Sequence, residues 1–115
     1  MSALSFSKPD KLTHSKEFGR LSRLGKKVVN QHFVILYLIN TLERSRLGIT
    51  VSKKASKLAV QRNRVKRVTR EFFRHHRPSV YHFDIVVIAR HNIAQVTNEM
   101  LVDSLGLLWK KIDQI

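Results

Sequence analysis

Apolar residues in this chain recur at spacings that switch between helix and strand. Leu101, Leu105, Leu108 and Ile112 stand at i, i+4, i+7 and i+11, one face of a helix over about residues 97–112. Val65, Val68 and Phe72 stand at i, i+3 and i+7 and predict a second helix over about 58–76, closed by Pro78. Phe18, Leu21 and Leu24 give an apolar side to a shorter, earlier helix, which Thr13 or Ser15 can cap and Gly25 can stop. Residues 46–52 alternate instead. Leu47, Ile49 and Val51 point one way and Gly48, Thr50 and Ser52 the other, as in a half-buried strand. Residues 28–39, rich in β-branched and aromatic side chains, read as one or two strands, and residues 83–89 as a buried one. Polar residues 40–45 read as a turn, which would let the strand at 46–52 form a hairpin with the one before it. Residues 1–12 look extended, with Pro9 discouraging helix before it.

The order α-β-β-β-α-β-α, with no internal repeat, low-complexity tract or linker, describes one α+β domain over residues 1–115. It is a sandwich of one sheet and three helices.

Charge changes this picture from a fold to a function. The formal net charge is +14 and the pI about 11.0, far beyond what solubility needs, so a polyanionic partner is implied. The charge is also segregated. Residues 1–79 hold 19 Lys/Arg against 4 Asp/Glu, a net of +15, whereas residues 80–115 hold 3 against 4, a net of −1. The last third is scaffold by this measure. The densest stretch is residues 62–74, in which Arg62, Arg64, Lys66, Arg67, Arg70 and Arg74 face one acid, Glu71. At ~100° per residue these cations spread away from the Val65–Val68–Phe72 stripe, giving one helix a core edge and a cationic face.

A merely solvated surface is a poor account of that face, because like charges at i,i+4 repel. A membrane-surface or calmodulin-type helix needs a wide, free apolar face, and this stripe is narrow and needed by the core. Nucleic acid fits better: Arg offers bidentate phosphate contacts, and Asn63 can reach a base edge or sugar. A helix-turn-helix reader of DNA would need a second helix just before this one. Strands and the basic connector Lys53-Lys54-Ala55-Ser56-Lys57 precede it instead. A broad phosphate-tracking face suits folded RNA, which is recognised by shape and backbone.

Other chemistries find little support. There is no cysteine, so disulfides, thiolate chemistry and Cys-based zinc sites are excluded. The adjacent His75 and His76 point about 100° apart on a helix and do not chelate one ion. His14, His32, His82 and His91 lack partners at ligand spacing. The 8 Asp/Glu are scattered, and there is no Gly-rich phosphate loop or nucleophile elbow, so no protein-borne catalytic constellation is expected. The longest wholly apolar run, Phe33–Ile39, is too short to cross a bilayer, and residues 1–11 do not read as a secretory signal. Absence of Cys and of such segments fits a cytoplasmic protein with no membrane partner. Phe18, Phe33 and Tyr37 are core candidates, or a platform for unpaired bases worth about 1–3 kcal/mol per base.

These residues together resemble the bacterial ribonuclease P protein subunit, the small basic partner of a catalytic RNA that trims the 5′ leader from precursor tRNA. The likeness runs almost end to end. It includes Lys11-Leu12, Glu17-Phe18 and Gly25, then Arg46-Leu47-Gly48-Ile49-Thr50-Val51-Ser52-Lys53-Lys54. It continues through Ala59-Val60-Gln61-Arg62-Asn63-Arg64-Val65-Lys66-Arg67, Thr69-Arg70-Glu71 and Asp84-Ile85-Val86-Val87-Ile88-Ala89-Arg90.

The resemblance implies a mixed four-stranded sheet with a left-handed β-α-β crossover through the basic helix, as in a ribosomal-protein-like fold. It implies that Arg62, Asn63, Arg64, Lys66, Arg67 and Arg70 pack on the catalytic RNA, with Lys53, Lys54 and Arg74 as further RNA contacts. Phe18 would line a cleft for the single-stranded leader between the first helix and the sheet. Ser22 stands where the family often has a second aromatic, and Tyr37 is the candidate to compensate. Mg²⁺ would be held mainly by RNA and none by the protein alone. One protein, monomeric by itself, would join each RNA. The alternative is a structural ribosomal or other RNA-scaffolding protein of similar size and charge.

Overall fold

The computed structural model describes residues 15–40, 45–76 and 82–113, excepting the side chains of residues 15–18 and 113. The chain runs α1 (Ser15–Leu24), β1 (Lys26–Val29), β2 (Phe33–Ile39), β3 (Arg46–Thr50), α2 (Ala59–His75), β4 (Phe83–Ala89), a 3₁₀ turn (Ile93–Gln95) and α3 (Asn98–Asp113). The expected order of helices and strands is therefore present. Thr13, Pro9, Pro78 and most of the turn at 40–45 lie outside the described residues.

One sheet has the order β1-β2-β4-β3. β1 with β2 and β2 with β4 run antiparallel; β3 with β4 runs parallel, Arg46 opposite Asp84 and Thr50 opposite Ile88. This corrects the expected hairpin between the strand at 46–52 and its predecessor. β4 occupies the place beside β2, and the chain passes from β3 to β4 through α2, the crossover that a parallel pairing requires. The real hairpin is β1–β2. Asn30 makes its turn: its Oδ1 accepts the backbone N–H groups of His32 at 3.0 Å and Phe33 at 2.9 Å. The same side chain donates to Ser104 Oγ at 2.7 Å and pins the hairpin to α3.

Period-2 alternation divides the sheet into two faces. Phe33, Ile35 and Tyr37 of β2, Leu47 of β3, and Phe83, Ile85, Val87 and Ala89 of β4 face α2 and α3. The four leucine and isoleucine positions of the α3 stripe are all buried there, as the spacing predicts. Phe73 of α2 meets Trp109 of α3 edge-on, ring centroids 5.5 Å apart. On the opposite face Leu21 of α1 packs on Val86, with half-buried Leu36, Leu38 and Ile88 around it. α1 stops at Gly25, whose N–H closes on Leu21 O at 2.9 Å. α1 thus ends where Gly25 is expected to stop it, without a positive φ at that glycine. Gly25 is needed for space instead: a Cβ would stand 2.6 Å from Leu21 O and 3.0 Å from Tyr37 O.

Candidate nucleic-acid interface

α2 begins without a side-chain cap and without an acid in its first turn. Arg62 organises that end. Its Nη1 donates to Ser56 O at 3.0 Å and Lys57 O at 2.8 Å, bracing the connector against the helix. The connector turns at Ser52, whose Oγ accepts the Ala55 N–H at 3.1 Å, and presents Lys53 and Lys54 to solvent.

Val65, Thr69, Phe72 and Phe73 fix the helix to the core. Thr69 satisfies its buried hydroxyl by donating to Val65 O at 2.8 Å. Asn63, Arg67, Arg70 and Arg74 fall within about 60° of one another on the opposite side at ~100° per residue. Asn63, Arg67 and Arg70 are exposed; Lys66 and Arg74 are half-exposed on the same helix. The helix thus carries a row of cations on a buried base, an arrangement that can meet a polyanion. Glu71, the only acid of α2, is already bridged by Arg74 Nη1 at 2.9 Å and contacts His75 Nε2 at 3.2 Å.

Arg64 is used differently. Its Nε donates to Gln61 Oε1 at 2.8 Å, Nη1 to Asn98 Oδ1 at 2.6 Å and Nη2 to Ala94 O at 3.2 Å. Two of these bonds tie α2 to the 3₁₀ turn and the start of α3, while the third braces the guanidinium within α2. Arg62 and Arg64 shape the interface from within, whereas Lys53, Lys54, Arg67 and Arg70 point outward. The spacing of charges carries no sign of this division, because the acceptors are backbone carbonyls and residues distant in the chain.

The two aromatic candidates separate as well. Phe18 belongs to α1 by its backbone, and its side chain lies outside the described residues. Tyr37 is corrected. It is 6% exposed and points to the α2–α3 face, away from α1, with its ring edge-on to Phe83 at 5.9 Å. The parity of β2 sends Leu36 and Leu38 toward α1 and Tyr37 away, so Tyr37 cannot stack bases in a cleft beside α1. Ser22 of α1 is exposed. Sequence reasoning left unassigned four exposed cations, Arg20 and Arg23 on α1 and Lys26 and Lys27 on β1. Their only signal was the charge excess of the first two thirds.

Among the described residues, no group of three or more His, Asp or Glu side chains could hold a metal ion. Among them, too, no helix is long and apolar enough to cross a membrane.

Comparison with known proteins places this geometry in context. A family profile described as Ribonuclease P matches residues 6–113. The Ribonuclease P protein component of Pseudomonas aeruginosa is 40% identical over 114 residues, covering 97% of this chain and 84% of that protein. The solved structure of the RNase P protein of Staphylococcus aureus is 35% identical, with a TM-score of 0.83 over 90% of this chain and 94% of that one. That of Thermotoga maritima is 34% identical, with a TM-score of 0.73 over 87% and 96%.

Proposed function

This chain belongs to the ribonuclease P protein family, and we propose that it serves its ribonucleoprotein by neutralising and positioning RNA, with the outward row of α2 as its main contact. Its role is that of the protein subunit of ribonuclease P, and its partner is the RNase P RNA. The observation that carries the reading is the mounting of Asn63, Arg67 and Arg70 opposite the buried Val65–Thr69–Phe72 base, beside the exposed Lys53 and Lys54.

The catalytic RNA and the precursor tRNA are both polyanions, and their approach is opposed by charge. A protein of net charge +14 lowers that repulsion and releases condensed counterions. Held phosphates then keep a geometry in which RNA can bind Mg²⁺. The ion's ligands are assigned to RNA. Mg²⁺, when bound there, supplies the activated water and stabilises the leaving oxygen. The protein's part is orientation and electrostatics, with no catalytic group of its own. The 5′ leader is assigned to the side of the sheet that α1 covers, where the half-buried Leu36, Leu38 and Ile88 lie, with Phe18 of α1 as the residue proposed to hold it. One protein acts per RNA, and it works in the cytoplasm.

Reconstitution tests this. The chain is added to bacterial RNase P RNA and precursor tRNA at low Mg²⁺, and leader release is timed. A faster reaction that depends on the RNA subunit is expected. No gain in leader release, or cleavage by the protein without that RNA, overturns the proposal.

A further inference from the structure

α2 and α3 do not close completely on each other. Between them runs a groove of about 560 Å³, lined by Val68 and Phe72 from α2, Val102 from α3, and Arg67, Asn98 and His76. Sites for small flat molecules run from about 300 to 1,000 Å³, so a single nucleotide fits the space. The groove opens along the flank of α2 that adjoins the Arg67–Arg70 row, and Arg67 belongs to both.

One end of the groove is built in advance. The His76 ring lies flat on Phe72, centroids 4.1 Å apart and planes 5° from parallel. His76 Nδ1 is 2.8 Å from Phe72 O. A carbonyl only accepts, so Nδ1 carries the proton and the ring is held in one orientation. The residue is nevertheless exposed, leaving the outer side of the pair open. Val102, 43% exposed on the opposite wall, offers a free apolar surface from α3. Glu71 and His75 also line the groove, and the Glu71 carboxylate is paired with the Arg74 guanidinium at 2.9 Å, which offsets its charge.

A slot with apolar walls, a fixed aromatic platform and a guanidinium at its mouth matches one kind of occupant. An unpaired base buries its faces against ring and methyl groups while its phosphate meets the cation. An apolar peptide would use the walls but leave Arg67 without a purpose. We propose that the α2–α3 groove receives an unpaired nucleobase of the RNase P RNA, stacked on the His76–Phe72 pair with its phosphate on Arg67. The inference rests on the reading of α2 as the RNA-binding helix and adds to it a contact made by stacking rather than by charge.

The two contributions differ in their response to salt, and that difference is the test. Affinity for the RNase P RNA of Pseudomonas aeruginosa is measured across monovalent salt at pH 8. The variants are His76→Ala, His76→Phe and Val102→Trp, each checked for an unchanged melting temperature. His76→Ala removes the platform and Val102→Trp fills the slot. Both are expected to weaken binding about tenfold with the wild-type slope of log Kd against log salt, and His76→Phe is expected to bind as wild type. Wild-type affinity in both His76→Ala and Val102→Trp overturns the proposal and leaves the groove to a partner other than RNA. A loss accompanied by a shallower slope overturns it too, since a charge contact would then be at work. The underlying reading fails separately: wild-type slopes in Arg67→Ala and Arg70→Ala would remove α2 from the RNA surface whatever His76 does.

Discussion

Arg46 grips Asp84 across the β3–β4 pair through two parallel bonds, Nε to Oδ1 at 2.8 Å and Nη2 to Oδ2 at 2.7 Å. The two residues are directly opposite in the parallel register, so the bond fixes that register as well as closing it. Asn40, just past β2, donates to the same Oδ1 at 2.9 Å, so one carboxylate joins three strands. Asp84 is 3% exposed and sits at the centre of the sheet on the face that α1 partly covers. β3 has no hairpin to hold it; it lies at the sheet edge and is joined to β4 only through the α2 crossover, and this fork is what marks its place.

The fork should therefore be felt when broken from one side. Arg46→Ala leaves a buried carboxylate without its guanidinium, and is expected to cost about 3 kcal/mol of folding stability in urea titration. Replacing both residues by leucine is expected to cost much less than the sum of the two single changes, because no unpaired charge is left behind. Additive losses would mean that the pair is not coupled and that β3 is held by its apolar side alone.

Arg64 and Arg67 look alike in the sequence and differ in the fold. Arg67 and Arg70 are exposed, while three donors of Arg64 are spent on Gln61, Asn98 and Ala94. Arg67→Ala and Arg70→Ala are each expected to lower the salt slope of RNA binding by about one unit with the melting temperature unchanged. Arg64→Ala is expected to lower the melting temperature first, since it frees the 3₁₀ turn and α3 from α2, and to change the slope by less than either. Equal slopes for all three, with equal stability, would contradict the division of labour drawn from the hydrogen bonds.

How much of this was legible in the residues depends on which physical signal each feature uses. The α3 stripe and the β4 run are written in spacing, and both appear where expected, Phe83–Ala89 to the residue. Facing was legible too: Leu47 turns inward as its alternation predicts. Neighbours were not. Parity says which way a side chain points but not which strand lies beside it, so spacing alone suggests β2 as the neighbour of β3 where the fold supplies β4. The β1–β2 turn was hidden because Asn30 makes it through its side chain, without Gly or Pro. In the interface, the cationic row of α2 follows from helical geometry, whereas the inward use of Arg62 and Arg64 depends on carbonyls that only folding brings near. Tyr37 shows the cost of a single step in register: the same residue is a platform on one face and core on the other.

Two glycines of the α1 region make opposite predictions. Gly19 lies inside α1, where an added Cβ would meet nothing within 4 Å, so Gly19→Ala is expected to stabilise the fold by up to about 1 kcal/mol through helix propensity. Gly25 is hemmed in by the carbonyls of Leu21 and Tyr37, and neither can swing aside as a side chain would. Gly25→Ala is expected to cost about 1–3 kcal/mol and to lift the end of α1 from β2. Thermal unfolding of the two variants reads both signs, and a neutral Gly25→Ala would show that the α1–β2 junction is looser than its geometry.

Displacing α1 also bears on the leader, because the cleft assigned to it lies between α1 and the sheet face of Leu36, Leu38 and Ile88. A base held there by Phe18 would contribute only when the substrate carries unpaired nucleotides upstream of the cleavage site. Phe18→Ala is thus expected to weaken the complex for leader-bearing precursor by about 1–3 kcal/mol, the worth of one stacked base, and to leave binding of mature tRNA nearly unchanged. Tyr37 supplies no second platform there, since it faces α2 and α3, so the loss should not be buffered. Affinities of the reconstituted ribonucleoprotein for the two substrates decide it. An equal loss for both would assign Phe18 to the packing of α1 and move the leader's contact elsewhere, with the exposed Arg20, Arg23, Lys26 and Lys27 as the next surface to test.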